Sequence, residues 1–130
     1  MAQVKGILVN DGGAPARIIN FVAAAAISAG ECLKIDSAGQ AALATDGTLP
    51  IAGYALTDAA LGGQVSVITG MGLVLYAMTN NVAIGNVLMV DTSGTPGSLD
   101  AAGDNDTDRV IAVALETNTV VDTLTKVLVV

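Results

Sequence analysis

The sequence predicts an all-β fold, either a sandwich or a barrel, and two observations support this prediction. Short runs of Val, Ile and Leu are separated by Gly, Asn, Asp, Ser or Pro, which is the pattern of strands joined by tight turns. A phrase also occurs twice, as CLKIDSAGQ at 32–40 and as VLMVDTSGT at 87–95, with a constant separation of 55 positions. The repetition indicates that the chain uses one structural unit twice.

Strand-like segments follow one another along almost the whole chain. In order they are KGILV (5–9), CLKID (32–36), IAGYAL (51–56), QVSVI (64–68), GLVLYA (72–77), NVLMVD (86–91), VIAVAL (110–115) and TKVLVV (125–130). Fifteen glycines are available for the turns between them. Two further segments, FVAAAAI (21–27) and TDAALGG (57–63), are expected to hold a helical turn at most, and Gly62 and Gly63 end the second one.

The repeat extends beyond the two quoted phrases. An offset of 55 aligns five pairs of residues, namely Ile27 with Val82, Gly30 with Gly85, Leu33 with Leu88, Asp36 with Asp91 and Gly39 with Gly94. IAGYALT (51–57) then matches IAVALET (111–117) at an offset of 60, because the loop at 95–108 is longer than its counterpart. We therefore expect a pseudo-symmetric domain with two related halves.

The repeat also suggests boundaries within the chain. Residues 25–130 are predicted to form a single β-domain, with halves at about 27–77 and 82–130. Residues 1–24 lie outside the repeat, and they are predicted to form an N-terminal arm or an edge strand. A chain of 130 residues has the length of one domain with its own core.

The low density of charge predicts contacts with other chains. Charged residues make up 13% of the sequence, which is about half of the ~25% typical of soluble domains, while hydrophobic residues make up 52%. A small domain has a large surface, and so few charges cannot cover it densely. Part of the surface is therefore expected to be buried against other chains. The alternative is a monomer whose surface is rich in Ala, Gly and Thr.

The sign of the charge excludes two classes of partner. The net charge is −7, and the five cations are scattered, so that neither a basic stripe for nucleic acid nor a basic amphipathic segment for an anionic membrane is present. The charge is also uneven, since residues 1–35 carry +1 and residues 36–130 carry −8. If one part of the chain meets an acidic partner, the N-terminal part is favoured.

The residue types exclude several kinds of chemistry. The chain has no histidine and one cysteine, Cys32, which rules out an intrachain disulfide, a thiolate metal cluster and His-assisted catalysis. We expect no catalytic residue, no cofactor and no metal site. The opening MAQVKGILVNDGG lacks the features of a signal peptide, and IINFVAAAAI (18–27) is half of the ~20 residues that span a membrane. A soluble product of the cytoplasm is therefore expected.

The duplicated Asp-Ser/Thr phrase has an enzymatic alternative, an aspartic protease in which Asp36 and Asp91 would share a proton. Such enzymes place Gly directly after the Ser or Thr, whereas DSAG and DTSG are each one residue longer. A β-turn explains the phrase better, because Asp accepts hydrogen bonds from the turn and Gly takes a positive φ. The predicted turn residues are Gly30, Asp36, Gly39, Gly85, Asp91 and Gly94.

Two other motifs fail as binding sites. DNDTDRVIAVALE (104–116) has the alternating Asp residues of a calcium loop, but Arg109 replaces its glycine and Leu115 its final Glu, so a solvated acidic loop is expected. TGMGLV (69–74) has neither a lysine nor a helix after it, and it is therefore not a phosphate loop.

The order of four phrases resembles the small decoration, or capsid cement, proteins of tailed bacteriophages. The phrases are AISAGECLKIDSAGQAALA, PIAGYALTDAALGGQVSVITGMGLVLYA, AIGNVLMVDTSGTPGSL and VIAVALETNTVVDTLTKVLVV, which together cover roughly residues 25–130. The chain departs from the family pattern at Gly30-Glu31, where the family has Gly-Asp, and in the long loop at 95–108.

This resemblance implies a small β-barrel or tulip-like domain and a structural role. Such proteins are made in the host cytoplasm, form homotrimers on the outer surface of the capsid, and cement neighbouring subunits of the major capsid protein. The resemblance gives no role in binding nucleic acid or membrane. A trimeric base module of a head fibre or tail is the alternative.

The N-terminal segment is the predicted capsid-facing part, because it carries the least acid. It combines apolar anchors with one guanidinium group, in Val4, Ile7, Leu8, Arg17, Ile18 and Phe21. An ordinary edge strand of the domain is the alternative for the same residues.

Overall fold

A computed structural model describes residues 8–10, 17–45, 51–91, 95–102 and 110–130, and it confirms the all-β prediction. Within these ranges the chain forms eleven strands and no helix. In chain order the strands are β1 (Leu8–Asn10), β2 (Arg17–Val22), β3 (Cys32–Ile35), β4 (Ala41–Leu43), β5 (Gly53–Ala55), β6 (Gln64–Thr69), β7 (Val74–Thr79), β8 (Val87–Val90), β9 (Leu99–Ala101), β10 (Ala112–Ala114) and β11 (Thr123–Val129).

The strands form two sheets that have the same internal order. One sheet has five strands in the order β2-β6-β5-β3-β4. The other has six, in the order β1-β7-β11-β10-β8-β9. When β1 is left aside, the two orders match position by position. Each strand of the second sheet has a number five higher than the strand at the same position in the first sheet. The chain therefore builds a five-strand unit twice, first from residues 17–69 and then from residues 74–129.

The division between the two units differs from the sequence-based boundary. The repeat places the segment at 72–77 in the first half, but this segment contributes to β7 and belongs to the second sheet. Conversely, β2 lies within the predicted N-terminal segment 1–24 and is the edge strand of the first sheet. The first unit therefore begins earlier and ends earlier than the phrases of the repeat indicate.

Each sheet closes on itself through one parallel contact. In the first sheet this contact joins Ala23, directly after β2, to Ala41 in β4. In the second sheet the equivalent contact joins Thr79 in β7 to Leu99 in β9. Because the contact links the two edges of the unit, each unit has the form of a small barrel. We refer to β2–β6 as the first barrel and to β7–β11 as the second barrel.

Hydrogen bonds fix the register of the repeat. Ala52 N donates to Leu33 O at 2.8 Å, and Ile111 N donates to Leu88 O at 2.9 Å. Leu33 and Leu88 are 55 positions apart, as predicted, whereas Ala52 and Ile111 are 59 apart rather than 60. The difference between the offsets of 59 and 60 matters because a slip of one residue turns each side chain of a strand to the opposite face.

The correct register gives the two barrels matching interiors. The first is filled by Ala23, Ile27, Leu33, Ala41, Ala55, Val65 and Val67, all of which are buried. The equivalent buried positions in the second are Thr79, Val82, Leu88, Leu99, Ala114, Thr125 and Val127. Two threonines thus replace Ala23 and Val65, and their hydroxyls lie 2.6 Å apart. Asn118 Nδ2 also donates to Thr125 Oγ1 at 2.8 Å, so that this polar pair is satisfied inside the second barrel.

Two strands were not predicted from the sequence, and one predicted helical turn is wrong. The missed strands are β4 and β9, whereas β2 corresponds to the edge strand given as the alternative for residues 1–24. The helical turn expected at 21–27 does not form, since β2 continues to Val22 and Ala23 and Ile27 make isolated bridges. Six residue pairs between β2 and β6 outweigh the helical preference of the alanines that follow. The segment at 57–63 is a hairpin loop in which Gly62 adopts a φ of 80°.

Candidate functional site

The predicted capsid-facing residues fall into three groups. Val4 and Ile7 lie outside the described residues. Leu8 begins β1, whose backbone pairs with Leu75 of β7 at the edge of the second sheet. Arg17, Ile18 and Phe21 lie together on β2, the edge strand of the first sheet.

The edge strand β2 exposes apolar side chains on both of its faces. Ile18 is 60% exposed, and Ile19 and Val22 are also exposed. Arg17 is exposed next to Ile18, whereas Phe21 is half-buried and packs against the core of the first barrel. An edge strand that carries exposed aliphatic side chains is a surface on which another chain can pair and bury apolar area. Arg17 and Ile18 are therefore available for such a contact, and Phe21 mainly supports the barrel.

Gly30 and Gly85 form the same turn in the two barrels. Gly30 N donates to Ala55 O and Gly85 N donates to Ala114 O, each at 2.8 Å. Their φ angles are 94° and 87°, a region that favours glycine. The residue after each glycine closes the turn with its side chain. Glu31 Oε1 accepts from Ser28 N at 2.6 Å in the first barrel. Asn86 Oδ1 accepts from Ala83 N at 2.8 Å in the second barrel.

The surroundings of these two turns differ. Gly30 is buried against the second barrel, where its carbonyl accepts from Met78 N at 2.8 Å. A side chain at Gly30 would collide with Leu124 Cδ2. A side chain at Gly85 would meet no atom of the described residues within 4 Å, and Ile84 next to it is 66% exposed. The first turn is thus part of the contact between the barrels, while the second is open to solvent.

The two Asp residues of the duplicated phrase each hold their own loop together. Asp36 Oδ1 accepts from Ala38 N and from Gln40 N, each at 2.9 Å, and Gly39 adopts a φ of 77°. Asp91 is buried, and its Oδ2 accepts from Thr95 N at 2.9 Å and from Asn80 Nδ2 at 2.7 Å. These bonds are those of a turn, in which the carboxylate satisfies backbone donors.

The second copy of this loop is longer. Gly94 lies outside the described residues, and Gly97 adopts a φ of 80° further along. Gly97 also joins the barrels, because Cys32 N donates to Gly97 O at 2.8 Å and Gly97 N donates to Ala44 O at 2.9 Å. The extra length of the second loop therefore lets it pair with a strand of the first barrel.

Glu31 is the buried acid of the first turn. Burial raises the pKa of its carboxyl above the ordinary value of 4.5; the nearby carboxylates of Asp122 and Asp58 add to this, and the bond from Ser28 N opposes it. When folding raises the pKa of a carboxyl, ionisation of that carboxyl costs more in the folded protein than in the unfolded chain. The folded protein is therefore destabilised above the ordinary pKa, and this penalty disappears in acid, where the carboxyl is protonated in both states.

Replacing Glu31 with glutamine is therefore expected to stabilise the protein at pH 7, because the amide oxygen still accepts from Ser28 N without carrying charge. The gain should vanish below pH 4.5, and urea unfolding across this range measures it. Glu116→Gln is the control, since Glu116 accepts from Lys126 N at 2.9 Å but is only half-buried. A gain that is independent of pH would contradict the assignment of the penalty to ionised Glu31.

The described residues offer little for metal or thiol chemistry. They contain no group of three His, Cys, Asp or Glu side chains placed to hold a metal ion. Cys32 is buried, and burial raises the pKa of its thiol well above the ordinary value. Asp104, Asp106 and Asp108 of the calcium-like phrase lie outside the described residues. No helix that is long and apolar enough to span a membrane occurs within the described ranges.

Comparison with known proteins gives a likeness of fold. No protein-family model and no curated protein matches the sequence. Among solved structures, the chain is similar to the crystal structure of the head fibre gp8.5 N base of bacteriophage phi29, with a TM-score of 0.65 and 15% sequence identity. The match covers 89% of this chain and 95% of the phage chain, so both barrels contribute to it.

Proposed function

We propose that this chain is a structural protein of a bacteriophage head that binds the outer surface of the capsid as a homotrimer and cements subunits of the major capsid protein. The observation that carries the proposal is the fold shared along nearly the whole chain with a phage head fibre base. The order of the four phrases, which resembles that of capsid decoration proteins, supports it independently.

The surface of the first barrel has properties that suit this role. Ile18 is exposed on an edge strand, and Arg17 beside it provides a guanidinium group for bidentate contacts with carboxylates or carbonyls. An interface of standard size, about 800 Å² per partner, is sufficient for stable docking. Trimerisation adds avidity, because one docked subunit raises the effective concentration of the other two. In this proposal Arg17 and Ile18 face the capsid together with Val4, Ile7 and Leu8.

A cement is expected to raise the temperature at which filled heads lose their DNA. The experiment compares heads that lack this protein with the same heads after the purified protein has been added, and it follows DNA release with an intercalating dye during heating. Many weak contacts distributed over the shell should delay release by several degrees. Release at the same temperature with and without bound protein would contradict cementing.

A trimeric base module of a head fibre or tail is the second candidate, and the similar phi29 structure, a head fibre base, favours it specifically. The two functions differ in number of copies, since a cement occupies the whole shell and a fibre base occupies few positions. The aspartic-protease alternative would require Asp36 and Asp91 to share a substrate site. We propose instead that the chain is not an enzyme, because each carboxylate is engaged by donors of its own loop.

A further inference from the structure

The two barrels of one chain meet through a contact that is not symmetric. The Ala29–Gly30 turn of the first barrel lies against β7 of the second, where Gly30 O accepts from Met78 N at 2.8 Å. Ala29 packs against a buried hydrophobic cluster that contains residues of both barrels, and Gly30 lies directly against Leu124. A turn of one unit therefore meets the strand edge of the other.

The first barrel has its own copy of the strand edge that receives this turn. Val22 of β2 pairs with Gln64 of β6, as Met78 of β7 pairs with Leu124 of β11. Val22 is therefore the structural equivalent of Met78. Because neighbouring residues of an antiparallel strand alternate in the direction of their N–H groups, and Ala23 N donates to Gly63 O, the N–H of Val22 points away from β6.

The second barrel has its own copy of the turn. Ile84 and Gly85 are the equivalents of Ala29 and Gly30, as the matching bonds to Ala114 O and Ala55 O establish. Ile84 is 66% exposed, Gly85 has nothing within 4 Å of its missing side chain, and Val22 is 37% exposed. Among the described residues, the Ile84–Gly85 turn and the Val22 end of β2 thus both lack the partner that their equivalents have within the chain.

We propose that a second copy of this chain places its Ile84–Gly85 turn on the Val22 end of β2 and so repeats between chains the turn-on-strand part of the contact that joins the two barrels within one chain. Gly85 O accepts from Val22 N–H across this interface, and Ile84 packs beside the side chain of Val22. The contact is heterologous, since each copy gives its turn to one neighbour and receives a turn from another, and repetition by rotation closes a ring.

This inference rests on the homotrimer of the proposed function, for which it names the joining surfaces, but it does not depend on binding to the capsid. It also explains why a glycine at position 85 is needed for more than its positive φ. The equivalent Gly30 lies so close to the neighbouring barrel that a side chain would not fit, and Gly85 would make the same close approach to a second copy. The aliphatic residues Val22 and Ile84, exposed in the single chain, become buried in the ring.

The test measures molar mass by light scattering for the full chain and for three variants. The unmodified chain is expected to exceed the monomer mass of 12.8 kDa several-fold. Val22→Lys and Ile84→Lys each place an ammonium group at the contact, and each should weaken association by roughly 100-fold and give monomers. Met71→Lys is the control, because Met71 is more exposed than Val22 and Ile84 but follows the opposite end of the β2–β6 pairing. Thermal unfolding verifies that the variants fold.

Mixing the two interface variants tests the direction of the contact. Ile84→Lys keeps an intact β2 edge and Val22→Lys keeps an intact turn, so that a mixture should form a one-to-one heterodimer at high concentration, although each variant alone is monomeric. Three results would each overturn the proposal. The unmodified chain could be monomeric at about 100 μM, either lysine variant could keep the unmodified mass, or the mixture could contain monomers only.

Discussion

Replacing Gly53 with alanine is expected to lower the free energy of unfolding by about 3–5 kcal/mol. Gly53 is buried in β5, between β3 and β6, with a φ of 152°. An added Cβ would collide with the backbone carbonyl oxygen of Ile68 and would come within 2.9 Å of Val67 Cγ1. Because Ile68 O is a backbone atom, relief of this collision requires β5 and β6 to separate, which disturbs the interior of the first barrel.

A matched glycine isolates the steric part of this effect. Gly39 has a positive φ of 77°, but an added Cβ there would meet nothing within 4 Å. Gly39→Ala is therefore expected to cost only about 1 kcal/mol, the penalty of the backbone conformation. Chemical denaturation at pH 7 measures both variants. If Gly53→Ala costs no more than Gly39→Ala, the close approach of β5 to β6 is not a constraint on the first barrel.

The double variant Arg17→Glu, Ile18→Lys is expected to weaken binding to phage heads by at least about 100-fold. It replaces the exposed aliphatic anchor with an ammonium group and the guanidinium group with a carboxylate, so that this end of β2 loses its net positive charge, and in the proposed trimer each loss is repeated at three sites. Pelleting of heads with increasing concentrations of protein measures the affinity. The variant should keep the molar mass of the unmodified chain, since Val22, at the other end of β2, is unchanged.

Leu61→Lys is the control for this experiment. Leu61 is exposed in the hairpin loop beyond Gln64, at the opposite end of the β2–β6 pairing from Arg17. Its replacement adds the same ammonium group as Ile18→Lys and removes a similar apolar side chain, but it should leave binding to heads unchanged. Equal losses for the double variant and for Leu61→Lys would indicate a general effect of charge rather than a capsid-facing surface at Arg17 and Ile18.

The repeat was the most informative part of the sequence for predicting the fold. The offset of 55 predicted that Gly30 and Gly85 occupy equivalent turns, and the hydrogen bonds to Ala55 O and Ala114 O agree with it. The second offset was wrong by one, because matching Ile51 with Ile111 gave more identities than the true register. Short apolar segments align almost equally well in neighbouring registers, and only backbone pairing distinguishes them.

The missed strands have a physical explanation. β4 and β9 contain three residues each, too few for a recognisable alternation of side chains. β2 was predicted only as an alternative to an N-terminal arm, because almost all of its residues are exposed and its sequence lacks the pattern of a half-buried strand. These strands form because neighbouring strands supply backbone partners, which a local pattern does not reveal.

Only part of the candidate site could be predicted from the sequence. Arg17 and Ile18 were identified because they combine an apolar side chain and a cation in the least acidic segment, and the structure places both on an exposed edge. The different surroundings of Gly30 and Gly85 could not be predicted. The sequence around each glycine describes the same turn, and only the way in which the barrels dock determines that Gly30 is covered and Gly85 is open.

The number of copies per virion tests the proposed cementing function most directly. Quantitative mass spectrometry of purified virions gives the molar ratio of this chain to the major capsid protein. A ratio near one to one is expected, because trimers at every three-fold and quasi-three-fold position supply one copy for each capsid subunit. A handful of copies per virion, or none, would contradict cementing, and a small fixed number would favour the base of a head fibre or tail.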